Sequence, residues 1–188
     1  MPVFASLLRG INVGPASLIG MPALAAVHSA LGLTEVRTLL RSGNVIFRST
    51  RTDRAWLVRS LGDAIEKRFG IRPDVLLRSP EELRAAIAAN PFPGEARTDP
   101  SHLLVMFLAS PPSPASVRAL AHHGRGPERV KASGQELYLY YPAGIGRSKL
   151  TNAFIEKALE VRGTARNWNT VNKLLQCAAP ASTSTGAR

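Results

Sequence analysis

The chain has 188 residues, 45% of them hydrophobic, and a net charge of +11. That length and apolar content support a buried core in one domain or two small subdomains, which excludes wholesale disorder, and no apolar run approaches the eighteen or so residues of a membrane helix. Cys177 is the single cysteine, so an intrachain disulfide is excluded; with a start, MPVFASLLRG, that lacks a signal-peptide pattern, the expected location is the cytoplasm.

Residues 3–8, VFASLL, read as a short buried strand that runs into a Gly/Asn/Pro loop reaching about residue 20. Pro22 suits the first turn of a helix in which Leu24, Val27, His28 and Leu31 recur at helical spacing until Gly32 stops it. EVRTLL and NVIFRS are two strands joined across Arg41-Ser42-Gly43. Thr52 is the expected cap of the next helix, with Leu57, Leu61, Ile65 and Phe69 on one face. RPDVLLR is a fourth strand. Ser79-Pro80-Glu81-Glu82 then combines an N-cap, a first-turn proline and a capping-box glutamate, and NPFPG at 90–94 closes the unit.

The second half repeats this order. HLLVMFL is a strand, Ser113-Pro114 starts a helix to about His123, and ERVKA and ELYLYY form a hairpin across Ser133-Gly134. A helix is expected over 148–160, then the extended TARN, then a last helix over about 169–178. The expected fold class is α+β, built from duplicated ferredoxin-like βαββαβ units with antiparallel sheets covered by helices. The expected boundaries are 1–94 for the first half, 95–179 for the second and 180–188 for a frayed polar tail.

LLRGINVG, RSGNVIF, NPFP, YYPAGIGRSKLTN and ARNWNTVNKL occur in this order across residues 3 to 178. Together they resemble the bacterial domain-of-unknown-function family 1697. The resemblance implies two swapped, ferredoxin-like halves and brings no established activity with it.

Three polar segments are candidates for function. GIGRSKLTN offers Gly146, Arg147, Ser148, Lys149 and Asn152 at an expected helix start, where unpaired backbone N–H groups and the peptide dipoles favour an anion. It lacks P-loop spacing, and a capped helix with solvated cations explains it nearly as well. LLRGINVG offers Arg9 and Asn12, with Gly10 and Gly14 allowing unusual backbone angles; the simpler reading is a structural ion pair for Arg9 and a self-satisfying loop for Asn12. ARNWNTVNK supplies Arg166, Asn167, Trp168 and Asn169, among which Asn167 or Asn169 suits an N-cap and Trp168 a core position. Asn44, from RSGNVIF, completes the candidate set. In a swapped arrangement this last helix start approaches the loop at Arg9 and forms a shared cleft.

Catalytic signatures are thin. His28, His102, His122 and His123 have no metal spacing, adjacent His122 and His123 splay apart on a helix, and no nucleophile elbow is present. The leading expectation is an anionic or phosphorylated small molecule, or a nucleotide, bound in a cleft between the halves. The alternative is nucleic-acid binding through the basic surface and a sheet face bearing Tyr138 and Tyr140. A non-catalytic interaction domain is the third. Residues 1–90 carry +5 and 91–188 carry +6, so the charge forms no polybasic arm and selects no partner. No cofactor, reaction or oligomeric state follows from the sequence.

Overall fold

The computed structural model describes residues 1–13, 18–123 and 126–179. Gly14, the side chains of His122 and His123, and the expected tail at 180–188 lie outside the described residues. The first unit runs β1 (Val3–Arg9), α1 (Met21–Ala30), β2 (Thr34–Leu39), β3 (Asn44–Arg48), α2 (Arg54–Phe69), β4 (Asp74–Arg78) and α3 (Pro80–Ala88). A connection with α4 (Pro93–Thr98) and a 3-10 turn, Pro100–His102, leads to the second. That unit runs β5 (Leu103–Leu108), α5 (Pro114–His123), β6 (Arg129–Ser133), β7 (Glu136–Tyr140), α6 (Asn152–Leu159), β8 (Gly163–Asn167) and α7 (Trp168–Ala178).

Each unit folds into a four-stranded antiparallel sheet, ordered β2-β3-β1-β4 in the first and β6-β7-β5-β8 in the second. The orders are identical, which establishes the duplicated α+β architecture. Even the registers correspond. Ala5 faces Arg78 across β1 and β4, and Val105 faces Arg166 across β5 and β8. Leu7 faces Asn44, and Phe107 faces Glu136.

Alternating side chains build the layers. Phe4 and Leu8 of β1 pack with α1 and α2, while Met106 and Leu108 of β5 pack with α5 and α6. The intervening residues, Ala5 and Leu7 in one strand and Val105 and Phe107 in the other, join a core shared by both sheets with α3 and α7. A two-residue period with both faces buried produces the nearly continuous apolar runs seen in the sequence. The hairpin glycine Gly43 (φ +74°) lies so close to the β1 loop that a Cβ there would sit 2.7 Å from Ile11 Cδ1. Gly163 opens β8 under the same pressure: a Cβ would meet Phe107 O at 2.9 Å.

Most helix ends follow local chemistry. The capping box at Ser79 is present, with Ser79 Oγ accepting from the Glu82 N–H at 3.2 Å and Glu82 Oε2 accepting from the Ser79 N–H at 2.6 Å. Helix α2 is capped by Asp53 and not by Thr52, because the Asp53 carboxylate accepts from the Trp56 N–H at 3.0 Å. Helix α4 was not anticipated: NPFP starts a short helix through Pro93 instead of only closing the unit.

Candidate functional site

The two units are joined by a matched pair of buried arginines. Arg166 of β8 donates from Nη2 to the Leu8 carbonyl of β1 at 2.9 Å and from Nε to Asn44 Oδ1, while Nη1 serves Thr164 and the Ala165 carbonyl. Arg78 of β4 makes the mirror set: Nη2 to the Leu108 carbonyl of β5 at 3.0 Å, and Nε to Glu136 Oε1 at 3.1 Å. Since Leu8 corresponds to Leu108 and Asn44 to Glu136, each unit's fourth strand grips the same two places in the other unit. Arg166 has only neutral acceptors, and burial pulls its pKa down to about 10. Burial also raises Glu136 above the ordinary carboxylate range, outweighing its Arg78 partner. The ion pair alone would lower that pKa; desolvation prevails because the side chain is largely shielded from water. Asn44 and Arg166, two of the sequence candidates, therefore come together as a structural clasp.

The glycine–basic loop departs from expectation. Helix α6 starts at Asn152 and not at 148, and its cap is Thr151, whose Oγ1 accepts from the Phe154 N–H at 3.2 Å. Ser148 caps no helix. Its hydroxyl donates to Glu128 Oε1 at 2.6 Å and accepts from the Leu150 N–H at 3.0 Å. The Ser148 and Thr151 amides donate to the carbonyls of Ile145 and Lys149. The chain itself satisfies these donors, a carboxylate stands beside them, and Arg147 and Lys149 are exposed. Residues 145–147 form a single 3-10 turn instead of an α-helical N-terminus.

Arg9 forms a two-pronged bond with Glu156 of α6, Nε to Oε1 at 2.7 Å and Nη2 to Oε2 at 2.5 Å, and Glu156 also accepts from the Gly163 N–H at 2.9 Å. Beside this pair lies a groove of about 430 Å³, walled by Arg9 from the first unit and by Lys157, Glu160 and Arg162 from the second. Asp74 approaches its cations, 3.4 Å from Arg9 and 4.0 Å from Arg162. Asn12 (φ +55°) closes its own loop, donating to the Arg41 carbonyl at 2.6 Å and accepting from the Ile19 N–H at 2.7 Å.

Of the ARNWN segment, Arg166 reaches the Leu8 carbonyl beside Arg9, and the residues after it turn to the other end of β8. Asn167 caps α7, accepting from the Asn169 N–H at 2.9 Å, and donates to the Pro100 and Ser101 carbonyls. Trp168 is buried in the shared core, and Asn152 and Asn169 are exposed. The sequence candidates thus fall into four places: the clasp, the Arg9 groove, the Asn12 loop and the end of the second sheet around Asn167 and residues 146–149.

The central strands are covered on both faces while the edge strands β2 and β6 stay largely exposed, and Tyr138 and Tyr140 do not form the proposed stacking pair. Tyr138 is fully buried with its hydroxyl donating to the Ala86 carbonyl at 2.6 Å, and Tyr140 donates to Asp99 at 3.0 Å beneath the Arg129 guanidinium. What the sequence reading missed is the company Asp99 keeps. It also binds His102 Nδ1, at 2.8 Å. The only available signal was an Asp and a His three residues apart. Among the described residues no group of three metal-ligating side chains forms, and no helix is long and apolar enough to cross a membrane.

A family model described as a protein of unknown function (DUF1697) matches residues 1–138, and the chain belongs to that family. The last two motifs of the resemblance, at 140–152 and 165–174, lie beyond the matched segment. A solved structure of a conserved bacterial protein from Streptococcus pneumoniae is similar, with a TM-score of 0.72, 24% identity, and coverage of 95% of this chain and 98% of that one. At that identity the likeness concerns the fold alone. Among curated proteins no match is found.

Proposed function

We propose that this member of the DUF1697 family binds a small anionic molecule in the groove where its two units meet. The observation that supports this reading best is the groove itself, whose walls come from β1 on one side and from α6 and the turn before β8 on the other. A volume of about 430 Å³ lies within the ordinary range for small-molecule sites and accommodates a phosphorylated metabolite or a mononucleotide.

The cations divide the work. Arg9 is committed to Glu156 and fixes the wall. Lys157 and Arg162 are exposed and turn their charge to the ligand. Among the described residues Arg162 has one ion-pair contact, with Asp74 at 4.0 Å, and an exposed contact of that kind contributes at most about 1 kcal/mol. An anion displaces it at little cost. Because the clasp holds the two walls together, the ligand meets groups already in place and less ordering opposes binding.

The test is calorimetric titration with inorganic phosphate and adenosine monophosphate. Lys157→Gln with Arg162→Gln is expected to weaken binding at least tenfold, and Asp74→Asn to tighten it severalfold. Binding that is absent, or equal in the double variant and the unaltered protein, contradicts the proposal. Nucleic-acid binding is less favoured because Tyr138 is buried and Tyr140 is held by Asp99, which leaves mainly contacts to phosphates. Such contacts reveal themselves by a steep fall of affinity with salt.

A further inference from the structure

The groove between the units contains one charge that a simple anion leaves unanswered. Its lining includes two carboxylates, Glu156 and Glu160. Glu156 is occupied: Oε1 accepts from Arg9 Nε and from the Gly163 N–H, and Oε2 accepts from Arg9 Nη2. Glu160 is exposed on the wall and has no hydrogen-bond or ion-pair partner among the described residues.

Local physics disfavours a glutamate at this position on two counts. Residue 160 ends α6 in the left-handed region, at φ +55° and ψ +27°, where a side chain is strained and glycine is the usual occupant. The end of a helix also carries partial negative charge, which repels a carboxylate placed there. The other unit shows the ordinary solution: α2, which corresponds to α6 in chain order, ends in Gly70 at φ +71°. Of two equivalent helix ends, the one at the groove bears the side chain that costs stability. Lys157 stands one helical turn before Glu160, and Arg162 follows on the stretch entering β8. Among the described residues the one ion-pair contact of these two cations is that of Arg162 with Asp74, at 4.0 Å. Since Arg9 and Glu156 answer each other, the groove offers a ligand two cations and one carboxylate within about 430 Å³.

We infer that the ligand is a phosphate monoester that also carries an ammonium group, a choice that rests on anion binding in this groove. Lys157 and Arg162 take the phosphate, and Glu160 takes the ammonium. The charge count selects the class. A phosphate monoester carries close to two negative charges at neutral pH, matching the two cations, and its ammonium matches the carboxylate. A phosphate without the amine places like charge before Glu160 in the same small volume, which opposes binding. A simple amino acid leaves one cation unmatched. The strain at Glu160 is thus retained for discrimination between anions of similar size.

The experiment is calorimetric titration of the full chain with aminopropyl phosphate and with propyl phosphate, which differ only in the terminal amine. Aminopropyl phosphate is expected to bind about fivefold more tightly, the scale of one exposed ion pair. Glu160→Gln should bring the two affinities together by weakening the first ligand and not the second. Glu160→Gly should do the same while raising Tm, because it relieves the left-handed strain and removes the carboxylate from the helix end. That rise separates a glutamate kept for the ligand from one kept for the fold. Equal affinity for the two ligands in the unaltered protein overturns the inference and leaves anion binding in place, whereas binding of neither removes both. A preference that survives in Glu160→Gln, or a fall of Tm in Glu160→Gly, also overturns the inference.

Discussion

Arg78 and Arg166 occupy the same register position in two units of the same topology, and each reaches across to a leucine carbonyl in the other unit. One faces a carboxylate, Glu136, and the other an amide, Asn44. The cores behind them differ likewise. Ser6 in β1 pairs with the buried His28, at 3.1 Å from its Nε2, where the equivalent residue of β5 is Met106. The lesson is that topology dictates where a buried polar group is needed and leaves its charge open. The main-chain carbonyl must be satisfied in both units; the second partner need only accept.

The largest expected effect comes from cutting the clasp. Arg166→Ala strands the acceptors at Leu8, Asn44 and Thr164 and is expected to lower unfolding stability by about 3–5 kcal/mol, measured in urea. Arg78→Ala should lose a comparable amount at neutral pH, and that loss should shrink on acidification as the orphaned Glu136 takes up a proton. A loss below 1 kcal/mol for Arg166→Ala would break the comparison.

Next is the histidine that only the first unit possesses. His28 Nδ1 donates to the Leu24 carbonyl at 2.9 Å, and burial drops its pKa from 6.5 to about 4. The unfolded chain therefore binds more protons between these values. Stability is fully present above about pH 6.5 and falls as pH drops toward 4, by roughly 3 kcal/mol. His28→Leu should flatten that slope in thermal melts at stepped pH.

Smaller again is Glu136→Gln. Since burial holds the folded carboxyl above its ordinary value, ionising it opposes folding, and a neutral glutamine still accepts from Arg78. The change at pH 7 is expected to stay within about 1 kcal/mol. Because the folded pKa is raised, the unaltered protein should gain on the variant as pH falls through that raised value to about 4.5. Similar in size are the losses at the matching helix caps: Asp53→Ala in α2 and Thr151→Ala in α6 should each cost about 1 kcal/mol, whereas Ser148→Ala, the smallest change, should leave α6 helicity as it is.

What could be read from the sequence was local. The capping box at Ser79, the asparagine cap at 167 or 169 and the strand alternation rest on neighbours a few residues apart, and they give the order of elements along both units. The clasp was out of reach because Arg166 and Leu8 are 158 residues apart in the chain. Arg9 illustrates the same limit: an ion pair was foreseen, but Glu156, 147 residues on, could not be named. The loop at 146–149 misled for another reason. Thr151 competes with Ser148 as the cap, and Glu128, brought in by the β6–β7 hairpin, takes the serine hydroxyl.

Crystals soaked in tungstate, a heavy mimic of phosphate, give the most direct test of the groove. Anomalous density between Lys157 and Arg162, against the Arg9 wall, is the expected result. Tungstate bound only elsewhere on the surface, with Arg162 still turned to Asp74, would contradict it.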